Sequence, residues 1–188
     1  MRIAIVADAA SPRSRPWVGA WRRAGHEVFL FSAQRGEIPP DLGCPVRAPL
    51  AMSPGPVPAT LQRRQGEARA DPPATWELRW ITRAVRLVPS FRAWLREVRP
   101  DRLLARRLRP EGYLASFGST RSLAIMAWGQ DVLHYALGHS AHRLLARRAV
   151  GRANLLIGET EPVREGLLAL GAPKERTVLG FTGIDLSF

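Results

Sequence analysis

The stretch that decides the fold lies at the start of the chain: Ile3-Ala4-Ile5-Val6-Ala7, then Trp17–Ala24, then Val28-Phe29-Leu30-Phe31. Ile3–Ala7 is a short apolar run closed by the polar Asp8, the pattern of a strand buried on both faces. Asp8–Pro16 is rich in Ser, Pro and Arg and reads as a loop. Pro16 at the start and Gly25 just past the end bracket a helix over Trp17–Ala24. Val28–Phe31 is a second buried strand. Strand, loop, helix and strand in this order open a parallel βαβ unit.

The alternation continues outward from this unit. Residues 33–60 hold seven prolines and read as loop, with one short strand around Val46. Residues 61–74 are polar and Arg-rich and are expected to be mobile. From Thr75, Trp76, Trp80, Ile81, Ala84, Val85 and Val88 fall on one face at helical spacing, with Arg79, Arg83 and Arg86 on another. Pro89 is expected to end that helix, and a second should run over Phe91–Val98. Strands are expected at Arg102–Ala105, Leu123–Ala127, Leu155–Gly158 and Thr177–Leu179. Helices are expected at Glu111–Phe117, Ala141–Arg152 and Pro162–Leu170, the last closed by Gly171. The fold class that follows is α/β: a Rossmann-like open, mostly parallel sheet with helices on both faces, as one domain over residues 1–180.

Composition narrows the function. The chain of 188 residues carries 28 basic and 16 acidic residues, a formal charge of +12, and Lys174 is its only lysine. That charge attracts phosphates, anionic lipid or nucleic acid, or simply forms a solvated surface. Cys44 is the only cysteine, so no internal disulfide or Cys-based metal site can form. The N-terminal apolar run is too short for a signal peptide, and no stretch approaches the roughly 20 apolar residues a membrane-spanning helix needs. The expected location is the cytoplasm, including the inner face of the membrane.

In a sheet of this kind ligands bind beyond the carboxyl ends of the strands. The rule selects Asp8–Pro16, Arg106–Gly112, Trp128-Gly129-Gln130-Asp131 and Glu159-Thr160-Glu161. The first loop lacks both Gly-x-Gly-x-x-Gly and the Walker pattern, so a nicotinamide or flavin dehydrogenase is not expected, and no cofactor is. Ser11, Arg13, Ser14 and Arg15, ahead of a helix N-terminus, suit a phosphate or a sugar. Asp131 suits sugar hydroxyls or the capping of the helix that follows. His134, His139 and His142 do not fall on one metal-binding face and are read as helical-surface residues; no metal is expected. No catalytic residue can be assigned from the chain.

Six segments, in order, resemble GT-B glycosyltransferases of family 4. Trp17–Val28 is similar to their "trp … leu … gly-his-glu-val" opening, and Arg99-Pro100-Asp101 to "kpDvvHah". Trp128-Gly129-Gln130-Asp131 resembles "wGsD", and Arg152-Ala153-Asn154-Leu155-Leu156-Ile157 resembles "rAdlvia". Leu170–Arg176 resembles "lGvpeerv", and Gly183-Ile184-Asp185-Leu186-Ser187-Phe188 the "nGvDlerF" hinge. The chain departs from the pattern at Trp128, where many members have a histidine, and at Arg102–Arg106, where the histidines of "vvHah" are missing.

The resemblance implies the N-terminal, acceptor-binding half of a retaining, nucleotide-sugar-dependent glycosyltransferase, with residues 181–188 starting the hinge to a donor-binding domain that this sequence does not contain. Alone, the chain is then expected to be inactive. The implied partners are a sugar acceptor, polysaccharide or lipid-linked, and a nucleotide-sugar only with a second domain or subunit. The expected substrate-binding residues are Ser11, Arg13, Ser14, Arg15, Trp128, Gly129, Asp131 and Glu159. The helix over 76–88 fits peripheral membrane contact, though packing on its own domain is the commoner use of such a face. The alternative is a non-catalytic binding module or partner subunit for an anionic polymer or membrane surface. No nucleic-acid motif is present, so nucleic acid is not an expected partner.

Overall fold

The computed structural model describes residues 1–34, 36–49, 74–120 and 122–180, except for the side chains of 74–80, 83 and 84. In chain order the elements are β1 (Arg2–Ala7), α1 (Ser14–Arg23), β2 (Glu27–Ser32), β3 (Val46–Arg47), α2 (Ala74–Val98), β4 (Arg102–Ala105), the short α3 (Tyr113–Ala115), β5 (Leu123–Ala127), α4 (Ser140–Arg152), β6 (Leu155–Gly158), α5 (Glu161–Ala169) and β7 (Thr177–Leu179). The strands form one parallel sheet in the order β3-β2-β1-β4-β5-β6-β7. This is the Rossmann-like α/β fold, with helices on both faces.

Strand parity sorts the core into two layers. Ile3, Ile5 and Ala7 point to the α1 face, where they meet Val18, Val28 and Leu30. Ala4 and Val6 point the other way, in register with Leu103 and Ala105 of β4, which pair on with Leu123 and Ile125 of β5. That second layer is larger and takes in residues from α2, α3, α4 and α5. On it, Phe31 meets Phe91 edge-on at 5.1 Å and Trp94 at 5.3 Å, a geometry aromatic rings favour beyond the area they bury.

Two helices end on the glycines that the sequence marks. Gly25 at φ 79° lets the Gly25 and His26 N–H groups donate to the Arg22 and Trp21 carbonyls at 2.9 and 3.1 Å. Gly171 at φ 97° repeats the arrangement, with N–H groups of Gly171 and Ala172 donating to Leu168 and Leu167. Both are Schellman caps, in which the left-handed residue is usually glycine because it has no Cβ to clash.

The structure corrects four expectations. Pro89 does not end a helix: α2 runs through it for 25 residues. The hydrogen bond that proline removes would have gone to the carbonyl of Val85, a residue on the exposed side of the helix. Among the described residues of α2 the buried stripe is Leu87, Phe91, Trp94, Leu95 and Val98; of the expected face, Val88 packs partly against the core, but Val85 faces solvent. The segment expected as one helix over Glu111–Phe117 is instead a wide turn over Leu108–Gly112, closed by the Gly112 N–H to the Arg107 carbonyl five residues back, followed by α3. His142 is not on the surface; it is fully buried in α4. The readings of residues 61–73, of Trp76, Trp80 and Ala84, and of the hinge over 181–188 lie outside the described residues.

The second layer is close-fitting where β6 meets α5. A Cβ placed on Gly158 would lie 2.9 Å from the Arg164 amide nitrogen and 3.1 Å from its Cα. Backbone atoms cannot swing aside, so Gly158→Ala should cost roughly 1–3 kcal/mol, as overpacking does. Phe91→Ala, which empties the aromatic cluster, should cost about 3–5 kcal/mol. Urea unfolding measures both; an unchanged midpoint for Gly158→Ala would refute the close strand–helix approach.

Candidate functional site

Strand order reverses direction between β1 and β4: β1 leads on to β2 on one side, and β4 leads on to β5 on the other. The loops leaving these two strands diverge and open a crevice, the usual ligand position in an open parallel sheet. A cleft of about 60 Å³ lies there, lined by Asp8, Ser11 and Ser14 from the first loop, Arg106, Arg107 and Glu111 from the second, and Trp128 from the end of β5.

The floor is an ion-pair network. Glu111 is fully buried. Its Oε2 accepts from Arg107 Nε at 3.4 Å, and its Oε1 accepts from Gln34 Nε2 at 3.1 Å. Burial pushes its pKa up, and Arg107 and the hydrogen bond from Gln34 oppose that shift. Burial also works against the charge on Arg107, but Glu111, Asp131 and Asp8 outweigh it and hold that pKa above the ordinary arginine value. Asp131, 5% exposed, accepts from the Arg109 N–H at a long 3.5 Å. Burial raises its pKa to about 7; Arg107 opposes the rise and Glu111 adds to it. A carboxyl poised at that value can hold or release a proton at neutral pH.

Cations meet aromatic rings above this floor. The guanidinium groups of Arg13 and Arg107 lie 5.0 and 5.3 Å from the Trp128 ring centre, within cation–π range. Arg106 is buried, lies 4.5 Å from the Trp17 ring centre and donates from Nη1 to the Arg13 carbonyl at 2.8 Å. Burial, then the nearby Arg13, lower its pKa to about 10, with Glu159 and Glu111 pulling the other way. It stays charged at neutral pH. Among the described residues its Nε and the Trp128 Nε1 are buried without a hydrogen-bond acceptor, each an unfavourable loss of solvation.

The eight residues expected at the site divide. Ser11, Ser14 and Trp128 line the cleft, and Arg13 lies against Trp128. Ser14 belongs to the first turn of α1 rather than to the loop, and its hydroxyl donates to the Asp8 carbonyl at 2.6 Å, holding the loop closed. Arg15 forms an ion pair with Asp41 in the segment between β2 and β3. Gly129 has helical backbone torsions, and a Cβ there would make only ordinary contact with Val163 at 3.7 Å, so nothing around it requires glycine. Asp131 makes no capping bond to the helical segment over Gln130–Ala136 that carries it; it reaches across to Arg109. Glu159 is half-buried and contributes negative charge toward Arg106.

Sequence reasoning selected the second loop but not its members. Asp8, Gln34, Arg106, Arg107 and Glu111 complete the site, and the available signal was the i, i+4 pair of Arg107 and Glu111 straight after a buried strand. His134, His139 and His142 lie in one aromatic cluster with Tyr113 and Tyr135. His142 packs on Tyr113, Tyr135 and His139, and neither ring nitrogen has a hydrogen-bond partner among the described residues. Burial, then Arg109 and His139, depress its pKa to about 4.

No protein-family model and no curated protein matches the chain. Solved structures do. Lipopolysaccharide outer core galactosyltransferase WaaB, in its apo form, matches with a TM-score of 0.59 at 12% identity, over 100% of this chain and 47% of that one. Anabaena Alr3699/HepE in complex with UDP-glucose matches with a TM-score of 0.56 at 15% identity, over 98% and 44%. Sucrose-phosphate synthase from Thermosynechococcus elongatus matches with a TM-score of 0.61 at 12% identity, over 97% and 90%. UDP-N-acetylglucosamine 2-epimerases are also among the matches. At such identities the likeness shows the fold: the Rossmann-like unit found in GT-B glycosyltransferases. The chain spans about half the length of the first two.

Two buried groups give stability opposite pH dependences. Asp131 has its folded pKa raised from 3.8 to about 7, so its contribution is full below pH 3.8 and is lost as pH rises through 7. Asp131→Asn should therefore gain on the native protein above pH 7, by on the order of 2–4 kcal/mol. His142 has its folded pKa lowered from 6.5 to about 4, so its contribution is full above pH 6.5 and is lost as pH falls through 4. His142→Phe should gain at the acid end. Melting temperatures between pH 4 and 9 test both, and parallel curves for either variant and the native protein would refute that assignment.

Proposed function

We propose that this chain is the acceptor-binding body of a retaining glycosyltransferase that uses a nucleotide-sugar. The observation that carries the reading is the cleft between the β1 and β4 loops, floored by Arg107 and Glu111 and walled by Trp128. It presents hydroxyl, carboxylate and guanidinium groups together, and a polyhydroxyl ligand needs both donors and acceptors. Asp8 and Ser11 accept from ligand hydroxyls, and Arg106 and Arg107 donate to ligand oxygens. The acceptor class is a polysaccharide or a lipid-linked sugar.

Glycosyl transfer also requires the departing diphosphate to be stabilised and both substrates to be held in one geometry. This cleft forms one wall. A donor-binding body, joined in the same protein or supplied by a partner, holds the nucleotide-sugar across it. Asp131, its pKa raised to about 7 by burial, leaves the Arg107–Glu111 floor beside it close to neutral. The high net charge favours a second reading, a non-catalytic module on an anionic polymer, whose affinity would fall steeply with salt.

Calorimetric titration against panels of nucleotide-sugars and candidate acceptors separates these readings. The acceptor-side reading expects an oligosaccharide acceptor to bind with weak salt dependence, Arg107→Gln to weaken it about tenfold or more through loss of a charge-assisted contact, and nucleotide-sugars to bind poorly. Tight nucleotide-sugar binding by this chain alone would overturn it.

A further inference from the structure

A second cluster of arginines lies at the opposite edge of the sheet, where the strands begin. The turn after α3 exposes three successive carbonyls, and each is taken by a different arginine. Arg148 Nη2 donates to the Ser116 carbonyl at 3.5 Å, Arg92 Nε to the Phe117 carbonyl at 2.9 Å, and Arg152 Nη2 to the Gly118 carbonyl at 3.4 Å. The Arg148 guanidinium also lies 4.4 Å from the Phe117 ring centre. Arg92 comes from α2, and Arg148 and Arg152 from α4. Two helices and a turn therefore direct three cations to one place. β5, five residues long, begins just beyond this turn and ends at Ala127, next to Trp128, so the cluster and the cleft lie about a strand length apart, roughly 17 Å.

Among the described residues, none of the ion pairs involves Arg92, Arg148 or Arg152. The end of a helix contributes only about half a negative charge, against three full positive ones. Each guanidinium has five N–H donors, and the carbonyl contacts use one from each. All three side chains are exposed, so the remaining donors are open to solvent, and the exposed Ser119 and half-buried Thr120 follow directly in the chain. The carbonyl bonds and the Phe117 ring fix the guanidinium planes in advance, which lowers the ordering that a ligand would otherwise impose.

We propose that this turn is a binding site for a phosphate or diphosphate group, held bidentately by Arg148 and Arg152 and closed by Arg92. Planar guanidinium forks match phosphate oxygens in both geometry and charge. The ligand class is a phosphorylated small molecule or a phospholipid headgroup, and the site is independent of the cleft.

The test titrates inorganic pyrophosphate into the full chain at low salt, alongside sedimentation with phosphatidylglycerol vesicles and with phosphatidylcholine vesicles. Pyrophosphate binding identifies a soluble phosphate ligand; sedimentation with anionic vesicles alone identifies a headgroup. In either case Arg148→Gln/Arg152→Gln should weaken binding tenfold or more. Arg23→Gln/Arg176→Gln, which removes two charges elsewhere, should leave it within twofold. If the first variant fails to fold, Arg148→Lys/Arg152→Lys keeps the charge, loses the fork and should still weaken binding severalfold. The proposal is overturned if the native chain binds neither probe, or if the control variant loses as much affinity as the variant in the cluster.

Discussion

Much of the architecture around the cleft depends on one buried ion pair, Arg107 with Glu111. A carboxylate without solvent is unfavourable unless it is paired and hydrogen-bonded, and Glu111 is both. Its partners come from different places: Arg107 from just past β4, and Gln34 from just past β2. The network therefore ties the end of β2 to the loop after β4 and holds the wide turn over Leu108–Gly112 in place. That turn carries Arg109, whose N–H reaches Asp131 beyond β5. Breaking the pair would leave a buried charge on one side and release three strand ends on the other.

Much of the fold was legible because the apolar runs are short, pure and bounded by polar residues. β4, β5, β6 and β7 fall where the runs at Arg102, Leu123, Leu155 and Thr177 place them; β4 and β5 are buried on both faces and written as such, while Leu155, Val178 and Leu179 toward the sheet edge are apolar but exposed. Glycine placed the ends of α1 and α5 for the reason given by their torsions. Pro89 misled because its penalty depends on whether the freed carbonyl is wet, and that is a property of tertiary packing. The turn over Leu108–Gly112 misled because i→i+5 geometry has no distinct residue pattern.

The site was less legible, and arginine is the reason. In a chain this rich in arginine, no local pattern separates Arg106, which is 4% exposed, from Arg15, which faces solvent beside Asp41. Sheet topology names the right loops, because ligand position in this fold follows from connectivity. It does not say which side chain in a loop turns inward. His142 shows the same limit: three histidines within nine residues suggest a wet, polar helix, whereas the actual constraint on His142 is aromatic packing against Tyr113 and Tyr135.

The two edges of the sheet use one residue type in opposite electrostatic settings. At the cleft, arginines lie over buried acids, so each charge is partly answered within the protein, and the carboxyl of Asp131 is held near the point of proton exchange. A ligand there meets a nearly balanced surface and is selected by hydrogen-bond pattern. At the other edge, Arg92, Arg148 and Arg152 meet carbonyl dipoles and the Phe117 ring, with no ion pair to them among the described residues. Net charge alone does not distinguish these settings. What separates them is the presence of Glu111 and Asp131 at one edge, and of a helix end with no described acid bonded to its arginines at the other.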